Sequence, residues 1–361
     1  MRETRIKLFM ITVVLMAIGT VMIYSSSAVN AFESYGDSTY YLKRHLIFLS
    51  LGLILSVFFM GFDYGKIRKF IKPFLLISVI LLVCVLVPGI GTAAGGARRW
   101  IKFSFMNFQP SEVAKMALIF YAADILARKQ SDIKNFVHGF MPLMLILGMC
   151  VMLILLEPDL GTAVAIGLLI GIMAFLAGAR LKHLGAVFLP ALPAIIILIA
   201  IKPYRWKRIV AFANPWADPQ GVGYQITQSF IALGSGGFFG KGLGHSQQKL
   251  FYLPEAHTDF IFSIIGEELG FLGAAAIIVM FIIFIVLGSR IAYRARDLFG
   301  QFLGFGLVAM IALEVIVNIA AVVGAIPTKG LPLPFISYGG SSLVYNMVSV
   351  ALLLNIARYR K

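Results

Sequence analysis

Charge is what this sequence has least of. Asp, Glu, Lys and Arg make up 13% of its 361 residues, about half of the roughly 25% usual for a soluble globular domain. Too few charged side chains exist to cover a water-facing surface, which excludes an ordinary soluble enzyme. Acids are scarcer than bases, 16 against 31, giving a formal net charge of +15. Cysteine is limited to Cys84 and Cys150, both inside apolar runs, where a thiol behaves as a small hydrophobe, so nothing supports a disulfide framework. Zinc-finger spacings, a Gly-x-x-x-x-Gly-Lys phosphate loop and internal repeats are also missing. Much of the basic excess lies in short connections between apolar runs, where anionic lipid headgroups are the first partner to expect and nucleic acid is not expected.

What is abundant is apolar surface: 60% of the residues are hydrophobic, and mean hydropathy is +0.92. Runs long enough to cross a hydrocarbon core about 30 Å thick recur from end to end. They predict an all-α polytopic membrane protein of about ten transmembrane helices, at 8–29, 45–61, 73–88, 111–128, 139–156, 160–178, 185–201, 259–288, 300–326 and 340–357. Only Glu157-Pro158-Asp159 separates the fifth and sixth. The first run lacks a sharp Ala-x-Ala cleavage site, so a retained span is expected there rather than a signal peptide. The whole of 1–361 reads as a single transmembrane domain.

Lys and Arg set the orientation. One set of tails and loops holds 18 of them and the opposite side 12, which predicts both termini in the cytoplasm and puts the large loop 202–258, between spans seven and eight, outside. Ten of the 16 acids map to that outer side, among them Glu112, Glu157, Asp159, Asp259, Glu267 and Glu268. Ionisable groups near hydrocarbon face cavities or partners, so a polar cavity opening outward is the expected use, with plain loop faces and interhelical ion pairs as the alternative.

Several local patterns carry chemistry. Glu112 and Lys115 stand three apart, on one face of a helix, as an ion pair or as the charged floor of a cavity; Pro110 and Ser111 read as the helix start, with Ser111 a possible cap. Arg98-Arg99-Trp100 and Arg205-Trp206-Lys207-Arg208 offer guanidiniums suited to phosphate, or headgroup anchors. Gln225–Ile231 and Phe238-Phe239 suit short amphipathic pieces on the membrane surface. Leu253–Phe260 is the densest site candidate. Asp259 there sits by a positive helix end that favours an ionised carboxylate, or else it or Thr258 caps the helix. His257 is a candidate proton carrier or metal ligand. Ser341 and Ser342 offer hydroxyls at the start of the last span, and Glu314 and Asn318 form a deep polar pair four residues apart.

These stretches carry a likeness that covers essentially the whole chain. Tyr24–Ala28, Gly96–Ile101, Phe108–Glu112 with Lys115, Glu157–Ala163, Gly223–Gln225, Gly240–Gly244, Leu253–Phe260, Gly266–Gly270 and Pro334–Ser342, in this order, resemble the SEDS family (shape, elongation, division and sporulation) of bacterial cell-wall enzymes. The Pro327-Thr328-Lys329-Gly330 run is closer to the division members than to the elongation members, and the sporulation members stay close.

The resemblance implies ten helices in the bacterial cytoplasmic membrane and an outward-facing active site. It implies peptidoglycan glycosyltransfer on lipid II, the undecaprenyl-pyrophosphate disaccharide-pentapeptide, and on the growing glycan strand. The implied partners are a class B penicillin-binding protein acting as transpeptidase and other membrane proteins of the divisome or elongasome. The family's essential aspartate matches Asp259, the expected base of a single inverting displacement. Glu112 and Lys115 match a paired glutamate and lysine at the cavity, and Arg98, Asp159, Lys241 and Glu268 match polar positions that shape it. Arg99, Arg208, His257 and Ser341 complete the expected substrate contacts. Carboxylates beside a pyrophosphate also invite a divalent cation, magnesium or manganese, with no ligand set assigned. The rival functions are a lipid II flippase and a non-catalytic scaffold for the transpeptidase.

Overall fold

The computed structural model describes residues 2–94, 97–103, 106–250 and 252–359. Its helices, in chain order, are α1 (Arg2–Tyr35), α2 (Tyr40–Gly61), α3 (Tyr64–Ile67), α4 (Ile71–Leu86), α5 (Pro110–Arg128), α6 (Met141–Leu156), α7 (Leu160–Leu176), α8 (Leu181–Ala200), α9 (Pro203–Ala213), α10 (Tyr224–Ser235), α11 (Ile261–Tyr293), α12 (Leu298–Val322) and α13 (Gly340–Ile356). Among the described residues, seven segments are long and apolar enough to cross a membrane: Arg2–Tyr35, Tyr40–Gly61, Tyr64–Leu86, Phe136–Leu156, Leu181–Ala200, Ile261–Tyr293 and Leu298–Val322. Each of the other three predicted spans is also a helix. α7 and α13 have only 17 residues each, and α5 carries Glu112, Lys115, Asp124 and Arg128 along its length.

α5 is charged because it is the centre of the protein and not its lipid face. Sixteen of its 19 residues are buried, and it packs against α4, α6, α7, α12 and α13. Pro110 fills the first helical position, where the missing N–H costs nothing. Ser111 does not cap the helix; its hydroxyl is buried without a partner.

Two features depart from the expected arrangement of helices and plain loops. The 89–110 connection folds into a small antiparallel sheet of β1 (Gly91–Ala94), β2 (Ala97–Phe103) and β3 (Met106–Phe108), in the order β1-β2-β3. The 202–258 loop carries α9 as well as α10; α10 covers the amphipathic Gln225–Ile231 stretch.

α11 is broken at Gly270, whose φ of 68° and ψ of −168° belong to a region essentially restricted to glycine. The backbone groups freed at the break are satisfied by the loop after α10. Phe271 N donates to Gly237 O (2.9 Å), Lys241 N to Glu267 O and Gly242 N to Glu268 O (both 3.0 Å). A Cβ on Gly270 would lie 2.2 Å from the Gly240 nitrogen, so the glycine is required by both its conformation and its neighbour.

Candidate active site

Asp259 lies in the turn just before α11. The chain around it is tied to the connection between α12 and α13. Tyr338 N donates to His257 O (2.9 Å), and the Ser337 hydroxyl donates to Thr258 O (2.6 Å). Asn318, buried on α12, donates its amide to both Asp259 O (2.8 Å) and Leu331 O (2.7 Å). One side chain thus clamps two loops far apart in sequence.

This clamp sets the Asp259 carboxylate against Gly330, where an added Cβ would lie 2.7 Å from Oδ2. Among the described residues, no hydrogen bond or ion pair reaches that carboxylate, and neither Asp259 nor Thr258 caps α11. Burial pushes the Asp259 carboxyl up to about 7, with the Glu255 carboxylate adding to the rise and Arg208 and Lys329 opposing it. The sequence predicted the opposite direction from the helix end; the loss of water outweighs that dipole.

Lys329 is the residue that sequence reasoning passed over. Its alkyl chain runs across the first turn of α7, where a Cβ on Gly161 would meet Lys329 Cε at 2.0 Å. Its ammonium is buried with no hydrogen-bond partner, and burial lowers it to about 8 against the pull of Asp159 and other nearby carboxylates. A lone lysine inside a Pro- and Gly-restricted connection was the available signal.

The first turn of α7 contributes further charge. Asp159 caps that helix, accepting from Thr162 N (3.1 Å) and the Thr162 hydroxyl (2.9 Å). Arg99 Nε stands 3.6 Å from Asp159 Oδ2, and Arg99 Nη2 donates to Pro158 O (2.8 Å). Both carboxylate oxygens of Glu157 are buried without partners; burial, then Asp159, pushes this carboxyl up to about 8, with Arg99 opposing.

Below these groups, Glu112 and Lys115 pair at 2.8 Å, and Lys115 is shared with Glu314 of α12. Asn346 Nδ2 donates to the other Glu314 oxygen (3.3 Å). A cavity of about 20 Å³ touches all three charged residues, Thr162 and Leu331, enough for a single water. A larger hollow of about 200 Å³ opens between α9 and α10, lined by Tyr204, Lys207, Arg208, Phe212, Gln225 and Thr328. Arg208 donates from its guanidinium to Thr328 O (3.1 Å), next to Lys329.

Other predicted site residues are engaged elsewhere. Lys241 donates to Glu267 (2.8 Å). Glu268 is held by Lys249 (2.8 Å) and by the Ser25 hydroxyl (2.7 and 2.8 Å). These pairs brace the Gly270 break. His257 packs at a tilt against Tyr41 and Tyr338, with ring centroids 4.4 and 5.7 Å away, and burial lowers its basicity. Arg98 is exposed on β2, and Ser341 is half-buried in the first turn of α13. No group of three or more His, Cys, Asp or Glu among the described residues is arranged to hold a metal ion.

Known proteins match nearly the whole length of this chain. The "Probable peptidoglycan glycosyltransferase FtsW" of Geobacter sp. strain M18 is 47% identical, over 96% of this chain and 95% of its own length. Stage V sporulation protein E of Bacillus subtilis strain 168 is 45% identical, over 98% and 97%. Among solved structures, a chain from a peptidoglycan synthase complex that coordinates polymerization and crosslinking superposes with a TM-score of 0.78 at 27% identity, covering 97% of this chain and 96% of that one. The cell cycle protein family that unites FtsW, RodA and SpoVE matches residues 6–361, and this chain belongs to it.

Proposed function

We propose that this protein is a peptidoglycan glycosyltransferase that polymerises lipid II on the outer face of the bacterial cytoplasmic membrane, with Asp259 as the general base. One observation carries the reading. A carboxylate raised to about 7, close to the optimum for proton transfer at neutral pH, lies near two cations, Arg208 and Lys329, and pairs with neither among the described residues.

Chain extension needs a base, a cation for the departing pyrophosphate and room for two amphiphiles. Asp259 takes the proton of the acceptor hydroxyl, whose oxygen attacks the anomeric carbon of the donor sugar. The bond from that carbon to the pyrophosphate oxygen breaks with inversion, from an α-linked donor to a β-linked product. Arg208 and Lys329 meet the charge that develops on the pyrophosphate, an interaction strongest in the transition state. Asp159, Arg99 and the Glu112–Lys115–Glu314 group hold the walls and floor. The hollow beside Arg208 combines cations with Phe212 and Ile226, which suits a phosphate attached to a lipid. Among the described residues no three His, Cys, Asp or Glu are arranged to hold a divalent cation; Arg208 and Lys329 are the cations that the described residues bring near Asp259.

The reading completes ten crossings by adding α5, α7 and α13 to the seven longer helices. Seventeen residues lie at the short end of what spans a bilayer, and the charges of α5 are matched inside the protein. Ten crossings with the observed Lys and Arg bias keep both termini cytoplasmic and turn 202–258 outward, within one domain over 1–361. The solved synthase complex supports a transpeptidase partner, here a class B penicillin-binding protein of the divisome or elongasome. The near-equal likeness to the FtsW and sporulation relatives supports a role in division or sporulation.

The test is lipid II polymerisation by purified protein with its transpeptidase, comparing parent and Asp259→Ala. Glycan strands from the parent and none from a folded variant support the reading; strands at the parental rate from the variant overturn it.

A further inference from the structure

At the ends of the helices opposite Asp259 lies a cavity unrelated to the site above. It measures about 460 Å³ and opens between the 129–135 turn and the start of α8. Lys134 and Arg180 line it, both exposed, and neither makes an ion pair among the described residues. His183 forms its inner wall. That side chain is 7% exposed, its Nδ1 is buried with no hydrogen-bond partner, and its ring is packed against Phe136 and Phe140 at centroid distances of 5.3 and 5.9 Å. Nδ1 is sealed among aromatic rings without a partner, which leaves Nε2 as the ring nitrogen available to donate. Asn135, whose side chain caps the one-turn π-helix Phe136–Phe140 by accepting from Val137 N (3.0 Å) and His138 N (3.3 Å), fixes the wall on that side. Gly139 lets this turn close on the 129–135 segment, since a Cβ there would lie 1.9 Å from Asp132 O.

We propose that this cavity is a binding site for the phosphodiester headgroup of an anionic phospholipid. Two features select a lipid over a free anion. The cavity joins the first turns of two candidate spans, Phe136–Leu156 and Leu181–Ala200, and exposed Val137 (62%) and Leu181 (72%) flank it where acyl chains would lie. Its lining charge also favours a singly charged group: Lys134 and Arg180 are offset by one acid, Asp132, which suits a monoanionic diester and opposes a phosphate dianion. Basic pockets between transmembrane helices are a recurrent way of holding such headgroups.

The test uses the full-length protein in bilayer discs of equal parts phosphatidylglycerol and phosphatidylcholine, with co-purifying lipid counted by native mass spectrometry. The parent is expected to retain phosphatidylglycerol preferentially. Each of Lys134→Gln and Arg180→Gln is expected to lower that preference about fivefold. Lys66→Gln with Lys69→Gln, which removes charge from another basic connection, is expected to leave the preference unchanged. Melting temperatures in phosphatidylcholine alone report folding, and the two single variants stand in for each other if one is unstable. Retention that is equal in parent and variants, or that falls equally in the Lys66/Lys69 variant, overturns the site. Displacement of the lipid by millimolar inorganic phosphate overturns its assignment to a lipid.

Discussion

Two groups of charge sit at the N-terminal part of α11 and the loops around it, and they are built on opposite plans. Around Glu267 and Glu268 every charge is answered. Glu267 accepts from Lys241, Ser246 and the Gln247 and Gln248 amides, and Glu268 accepts from Lys249 and Ser25. Around Asp259 the groups are brought near each other and left unpaired: the Lys329 ammonium lacks a partner, and the Asp259 carboxylate faces the Gly330 backbone. A buried polar group without a partner costs about 1–3 kcal/mol, more when charged, so folding stability alone does not favour the second arrangement. It is the arrangement a site requires if its charges are to be met by a substrate. The saturated cluster holds a broken helix together, and the unsaturated one leaves its charges available, as the proposed function needs.

The comparison can be broken in several ways, beginning with the largest expected effect. Asp259→Asn keeps the shape and removes the base; the rate of glycan formation is expected to fall about 10²–10⁴-fold while the melting temperature holds or rises. Lys329→Met keeps the alkyl chain over Gly161 and removes the cation, with an expected loss of about 10²–10³-fold, the scale of losing one electrostatic stabiliser. Lys115→Met leaves Glu112 and Glu314 buried without their cation and is expected to cost about 3–5 kcal/mol of stability, read as a fall in melting temperature in membranes. Gly270→Ala forces a strained conformation worth about 1–3 kcal/mol and a collision with Gly240, so it is expected to lower the melting temperature more than it lowers the rate per folded molecule. The mildest probe is pH. Asp259 must be ionised and Lys329 protonated, so the rate should fall below pH about 7 as the base gains its proton, and fall again above about 8 as the ammonium loses one. The acid limb should vanish from the residual rate of Asp259→Asn, and the alkaline limb from that of Lys329→Met.

The membrane-spanning character and most helix positions could be read from the sequence because hydrocarbon leaves a long-range mark on composition. α6 and α7 separate at Glu157-Pro158-Asp159 as expected. The three-stranded sheet left no such mark, since its strands are short and lie in a Gly-rich connection. The break at Gly270 was hidden because the apolar run continues through it; only the partnering loop reveals that the backbone there is satisfied from outside the helix. For the site, Asp259 and the Glu112–Lys115 pair were accessible from local sequence; Arg99 and Asp159 were each singled out, but their contact joins distant stretches and was not. Lys241 and Glu268 were assigned to the cavity because residue type and outer-side placement do not say which partner a charge will find. Lys329 and the Asn318 clamp were missed for the converse reason. Their roles come from contacts across tens of residues, between α12, the loop before α11 and the loop before α13.

Side-by-side rates of glycan formation for two isosteric carboxylate removals, Asp259→Asn and Glu268→Gln, in the same reconstituted membranes and each divided by its folded fraction, test the central contrast most directly. The account predicts that the first is reduced at least about 100-fold while the second stays within about tenfold of the parent, its damage appearing as lost stability. Equal losses per folded molecule would contradict it.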